Sequence, residues 1–194
     1  MSRARFGAGP ALLFALLTMS SASQAQAPAL AFDSARAVAR FDVHPRVPMR
    51  SSGRFTRVSG ELQGDAGSGW VVHVQIDGSS LKYDGPAWMG RITRSEDFLA
   101  VDRYPAIGFT SLRFADSLLH KGGKLRGELQ LRGLRRDVGF QLLPSTCARP
   151  GHDCDIQVRG SISRRAFGMT SYRLTLRDDV DFSFNVRFRA EPTS

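Results

Sequence analysis

At 194 residues the chain amounts to one ordinary domain, and with 42% hydrophobic against 23% charged residues it can build a core, which excludes a disordered tail or linker. Its 27 basic residues against 18 acidic ones give a net charge of +9. The arginines (Arg36, Arg40, Arg54, Arg57, Arg126, Arg132, Arg187, Arg189) are scattered among alternating positions and form no block. Such a charge reads as solvated surface with some attraction to an anionic membrane surface. It does not read as a nucleic-acid site, where aromatic residues interleave with arginines on an exposed face.

The first 25 residues have the make-up of a cleavable export signal. Arg3 and Arg5 form a basic start, Ala11 to Leu17 an apolar centre, and Ser23 and Ala25 a small-residue cleavage site that leaves Gln26 as the new terminus. A rival cut after Ala27 is weakened by Pro28, which follows it directly. The apolar run is broken by Thr18, Ser20 and Ser21, well short of the roughly 20 residues that span a bilayer. The expectation is a mature domain over residues 26–194, exported and periplasmic, with no later stretch long enough to cross a membrane.

From there the pattern is strands and turns. Ala37, Ala39, Phe41 and Val43 alternate with Val38, Arg40 and Asp42, which is the period of a half-buried strand. Val72, Val74 and Ile76 repeat it, as do Ile107 and Phe109. Near the end Val180, Phe182, Phe184, Val186 and Phe188 make one almost wholly apolar face. Turn signals separate these runs: Asp65 to Gly69, Lys121 to Lys124, Arg132-Gly133, Pro144 to Cys154, and Leu176 to Asp178. Only residues 79–101 lack clear alternation, and there Ser95-Glu96-Asp97-Phe98 reads as the start of a helical turn with Ser95 as its N-cap. The fold class that follows is all-β: an antiparallel lipocalin-like barrel of about eight strands with a short helix, closure being the way to remove exposed edges. A two-sheet sandwich is the alternative.

Cys147 and Cys154 are the only cysteines, and their spacing in an exported chain reads as one disulfide closing a small loop. Two residues between cysteines would suit a redox pair, and four close ligands a zinc site; neither is present. No metal site is expected. The four histidines, His44, His73, His120 and His152, are dispersed, and no Gly-x-Ser-x-Gly elbow, phosphate-cradling glycine loop or His-Glu-x-x-His occurs. Asp178, Asp179 and Asp181 read as a turn and an outward strand position rather than paired catalytic carboxylates. No catalytic residues and no cofactor are expected.

Four motifs then resemble the YceI-like family. Gly53-Arg54-Phe55-Thr56-Arg57-Val58-Ser59-Gly60 looks like its early glycine-aromatic strand, and Ser95-Glu96-Asp97-Phe98 through Tyr104-Pro105-Ala106-Ile107-Gly108-Phe109-Thr110-Ser111 like its central signature. Gly127 to Leu134 and Ile162-Ser163-Arg164-Arg165-Ala166-Phe167-Gly168-Met169 resemble its two later motifs in the same order. The resemblance covers about residues 32–188 and implies a lipocalin-like barrel whose elongated apolar cavity holds an isoprenoid-type lipid. Pro45, Gly90, Ile92, Gln130 and Asp137 depart from the family's usual residues, so the polar contacts at the cavity mouth, and with them the ligand's identity, are not implied.

The strand phases and the resemblance together nominate a cavity wall: Phe41 and Val43, Phe55, Val74 and Ile76, Phe109, Leu129 and Leu131, Phe140, and Phe182 and Phe184. Patterning alone leaves two possibilities open, because an eight-stranded barrel is either filled by its own side chains or just wide enough for one small ligand. The expected function is binding, storage or transport of a polyisoprenoid or similar amphiphile, without catalysis. The other reading is a solid barrel acting as an interaction or membrane-surface module. Oligomeric state is not legible.

Overall fold

Period-two alternation becomes a single antiparallel sheet. A computed structural model describes residues 29–47 and 51–190, so the expected export signal and its cleavage site lie outside the described residues. The strands are β1 (Ala29–Ala31), β2 (Val38–Pro45), β3 (Ser51–Phe55), β4 (Val58–Asp65), β5 (Gly69–Asp77), β6 (Leu81–Asp84), β7 (Ala106–Ser111), β8 (Gly123–Leu131), β9 (Leu134–Leu142), β10 (Ile156–Ser163) and β11 (Leu176–Val186). Their order across the sheet is β1-β4-β5-β7-β8-β9-β10-β11-β2-β3-β6.

Eleven segments reconcile with about eight strands through one kinked hairpin. β4 pairs with β5 from Asp65↔Gly69 to Val58↔Ile76, and β3 pairs with β6 from Phe55↔Leu81 to Ser52↔Asp84. β3–β4 is thus one long strand and β5–β6 its partner, bent where Thr56 and Arg57 face a 3-10 turn at Gly78–Ser80. Ser80, 3% exposed, pins the bend: its Oγ accepts from the N–H groups of Thr56 (3.2 Å) and Arg57 (3.0 Å) and donates to the Asp77 carbonyl at 2.6 Å. The bend sends the β3/β6 half beside β2 and the β4/β5 half beside β7. Both ends of the sheet order therefore meet in the same hairpin, and the sheet curls on itself. β1 is a short addition to β4, and Phe32 just beyond it bridges to Phe188, joining this side to the continuation of β11.

Several local expectations shift. The helix α1 (Ala87–Arg94) precedes Ser95 instead of following it. Pro86, with φ already fixed, starts it, Arg91 and Arg94 sit at its negative end, and the Ser95 N–H bonds the Arg91 and Ile92 carbonyls as it stops. Ser95 does open the next turn, receiving the Asp97 N–H on its Oγ at 3.4 Å. A second helix, α2 (Ser117–Lys121), which the strand-and-turn pattern did not show, runs into the turn read at Lys121 to Lys124. Leu176 to Asp178, read as a turn, begins β11, whose pairing with β2 is irregular between Leu176 and Val180. β6 is a strand hidden within the stretch that showed no alternation.

The inward phases form one core that runs the length of the barrel, with Phe55, Val58, Leu62 and Leu81 almost completely covered. One end carries α1, the 95–105 segment and the 164–175 loop; the other carries the β4–β5 turn, α2 and the 143–155 loop. In the latter, Cys147 and Cys154 are joined, with Sγ atoms 2.14 Å apart.

Candidate functional site

The barrel is hollow. A cavity of about 150 Å³ runs inside it, and its accessible wall is wholly apolar. Void of that size lined by Leu, Ile and Phe stays dry and admits a molecule as large as benzene, because water finds no hydrogen-bond partners there. All eleven residues nominated from the sequence are on this wall: Phe41, Val43, Phe55, Val74, Ile76, Phe109, Leu129, Leu131, Phe140, Phe182 and Phe184. Val43, Ile76, Phe140, Phe182 and Phe184 are only half-buried although their phase points inward, as side chains facing open space must be.

The rings are arranged in pairs that leave the centre free. Phe41 and Phe55 lie 5.7 Å apart at a tilt, and Phe109 meets Phe140 edge-on at 5.3 Å. One end of the cavity is closed by Phe32 and Phe188, 6.2 Å apart, with Leu119 of α2 beside them on the wall. The disulfide loop holds this closure, since the Phe188 N–H donates to the Gly151 carbonyl at 2.8 Å.

The opposite end is built from residues that strand phase does not reveal. Phe98 and Leu99 reach the wall from the segment after α1, and Met169 from the 164–175 loop. That loop is folded around Arg164, which is 1% exposed. Its Nε donates to the Arg177 carbonyl at 2.9 Å, and its Nη1 to the carbonyls of Met169 (2.9 Å) and Ser171 (2.6 Å). Burial pushes its pKa down, opposed by the nearby Asp178 carboxylate. A buried guanidinium spent on three backbone oxygens is a structural clamp, and the 162-to-169 motif was the only sequence signal for it.

The wall has a weak seam between two neighbouring strands. β8 and β9 pair over nine residues each, whereas β9 and β10 pair only at Leu142↔Val158 and Gln141↔Arg159. From there towards α1 the two strands part. Phe140 fills the split against Gly160, while Leu134 and Arg136, on the phase of β9 that should face inward, are exposed.

Nothing in the described residues assembles a reactive centre from the polar candidates. His44 pairs with Asp181 at 2.9 Å on the partly exposed outer face, and Asp178 accepts from Arg165 and Ser163. His73 faces Thr110, His120 faces Asp116, and His152 packs on Phe188. No group of three or more metal-ligating side chains occurs among the described residues.

Known structures share this architecture. BcnA of Burkholderia cenocepacia superposes with a TM-score of 0.67 at 17% identity, covering 80% of this chain and 98% of its own. A polyisoprenoid-binding domain from Saccharophagus degradans, implicated in plant cell wall breakdown, gives 0.61 at 13% identity over 86% and 100%. The YceI protein of Campylobacter jejuni gives 0.56 at 20% identity over 72% and 85%. No curated protein sequence matches. The sequence profile of the YceI-like domain matches residues 30–188, from within β1 to the phenylalanine that closes the barrel, and the chain belongs to that family.

Proposed function

We propose that this protein binds the chain of an isoprenoid or similar amphiphilic lipid inside the barrel and stores or carries it in the periplasm after its first 25 residues are removed, catalysing no reaction. The observation that carries the reading is the wholly apolar, unfilled cavity. The likeness to a polyisoprenoid-binding domain supports the same class of ligand. Each buried methylene contributes about 0.8 kcal/mol, so a few branched units offset an association cost of roughly 4–15 kcal/mol.

The cavity as it stands takes one short piece of such a chain. A longer one has to widen the barrel, and the β9–β10 seam, held by two residue pairs, is a place where widening breaks few backbone hydrogen bonds. Organic extraction of protein purified without detergent, followed by mass spectrometry, tests the proposal. A long-chain isoprenoid or fatty amphiphile in the extract is the expected result. Absence of any lipid, together with no rise in melting temperature on adding isoprenoid quinones or prenyl phosphates, overturns it in favour of a barrel that acts through its surface.

A further inference from the structure

Large apolar side chains left in water are unevenly placed on this molecule. Of the six that are exposed among the described residues, Val47, Trp88, Leu134, Tyr172 and Leu174 belong to the end that carries α1, and only Leu112 lies at the disulfide end. They come from four separate segments that the fold gathers. Arg46 donates its N–H to the Thr175 carbonyl, placing Val47 beside Leu174. Tyr172 stacks on Phe98 at 5.6 Å, and Ser171 donates to Asp97 at 2.7 Å, tying that loop to the segment after α1. α1 has no buried residue and presents Trp88 half exposed, while Leu174 is 89% exposed.

The charges around this end favour one kind of partner. Two of its acids are held by arginines: Asp84 by Arg54 at 2.6 Å and Asp178 by Arg165 at 2.9 Å. Exposed Arg46, Arg91, Arg103 and Arg173 have no acidic partner among the described residues, against the exposed acids Glu96, Asp97 and Asp102. Isolated apolar side chains ringed by arginines, on a short amphipathic helix, match the boundary between anionic head groups and acyl chains. A second copy of this chain would bring the same arginines face to face.

We infer that the α1 end is a docking face for an anionic phospholipid surface, with Trp88 and Leu174 entering the acyl boundary and Arg46, Arg91 and Arg173 meeting the phosphates. This face adjoins both Phe98 of the cavity wall and the open stretch of the β9–β10 seam. A lipid passing from the membrane into the barrel there crosses little water. The inference rests on the cavity reading for its purpose, but not for its test.

The test is flotation with vesicles of phosphatidylcholine, alone or mixed with phosphatidylglycerol, using the full mature protein. Binding should need the anionic lipid and weaken with added salt. Changing Arg91→Gln with Arg173→Gln should weaken it about thirtyfold, from about fivefold for each arginine near such a surface. Trp88→Ser with Leu174→Ser should abolish flotation, whereas Leu112→Ser at the far end should leave it intact. Equal flotation of the double variants and the unchanged protein overturns the inference. So does a dimer in sedimentation velocity that Trp88→Ser with Leu174→Ser dissolves, because the face then belongs to a second copy. Lipid content, measured separately by extraction, keeps the two readings distinguishable: protein that floats but carries no lipid loses the cargo and keeps the docking face.

Discussion

Phe140 occupies the space that a side chain at Gly160 would need: a Cβ placed there would lie 2.3 Å from Phe140 Cδ1. The ring sits where β9 and β10 part, half inside the wall, and the missing side chain opposite is what lets it lie in the split. Gly160→Ala should push the ring into the cavity. Overpacking of this kind costs about 1–3 kcal/mol, and the displaced ring should also exclude lipid. Urea unfolding reads the first effect and organic extraction the second; a variant with unchanged stability and cargo would show that the seam is loose enough to absorb a methyl group.

The wall was legible because a strand's period is two, so a run such as Phe182-Ser-Phe184 declares its inward face before its neighbours are known. The kink at Thr56 and Arg57 was not. Its cause is the Ser80 hydroxyl, a residue 23 positions from Arg57 whose role exists only once β3–β4 and β5–β6 are paired. α1 gave little signal because it is only eight residues long, about two turns, so its apolar stripe is too short to repeat at the helical period. Arg164 occupies the inward phase after Ile162, where a charged residue looks misplaced. It fits because the loop beyond it returns three carbonyls to the guanidinium, an arrangement made by tertiary structure alone.

Arg164→Ala should therefore be among the most damaging single changes. It leaves the carbonyls of Met169, Ser171 and Arg177 without their donor, and a buried group so stranded costs about 1–3 kcal/mol. Arg164→Lys should fail to rescue, since one ammonium cannot reproduce a planar fork reaching carbonyls on two sides. Hydrogen exchange should show the 169–177 amides losing protection first in both variants. Rescue by lysine would show that charge, not geometry, holds the loop.

Asp178 gives the acid limb of stability a definite window. The Arg165 guanidinium bonded to it, helped by the Ser163 hydroxyl, holds its carboxyl down to about 2 from an ordinary 3.8. A carboxylate whose pKa is lower in the folded state stabilises fully above the unfolded value, and the gain is lost as pH falls through the folded one. The melting-temperature difference between the unchanged protein and Asp178→Asn should be largest at neutral pH and shrink between about pH 4 and pH 2. Asp77, held down to about 2 by Ser79 and Arg57, titrates in the same range in both proteins and cancels in the comparison. A difference independent of pH would mean that the asparagine keeps the same hydrogen bonds and the charge adds nothing.

The disulfide should matter at one end of the cavity only. It closes the loop whose Gly151 carbonyl accepts the Phe188 N–H, and Phe188 in turn covers Phe32. Reduction, or Cys147→Ser with Cys154→Ser, should cost about 2.5 kcal/mol by loop-closure entropy and loosen the Phe32–Phe188 end while leaving the α1 end protected from exchange. Intact mass of exported material, with and without reductant, should show a start at Gln26 and a shift of two hydrogen atoms. Uniform loss of protection across the barrel would show that the loop holds more than its own end.

Cargo and packing are separated most directly at β11. Phe182 and Phe184 face the cavity and are only half-buried, so indole at either position has open space to enter before it meets the far wall. Phe182→Trp and Phe184→Trp should reduce extractable lipid several-fold with little loss of stability, because the added bulk displaces ligand rather than packed side chains. Phe140→Ala should do the opposite at the seam: enlarge the space, lower stability by less than the about 3–5 kcal/mol that losing a fully buried ring costs, and raise the share of longer chains in the extract. If the tryptophan variants instead lose about 1–3 kcal/mol, the cost of overpacking a filled interior, with no change in bound lipid, the space they entered was not a lipid site, and the barrel's role passes to its surface.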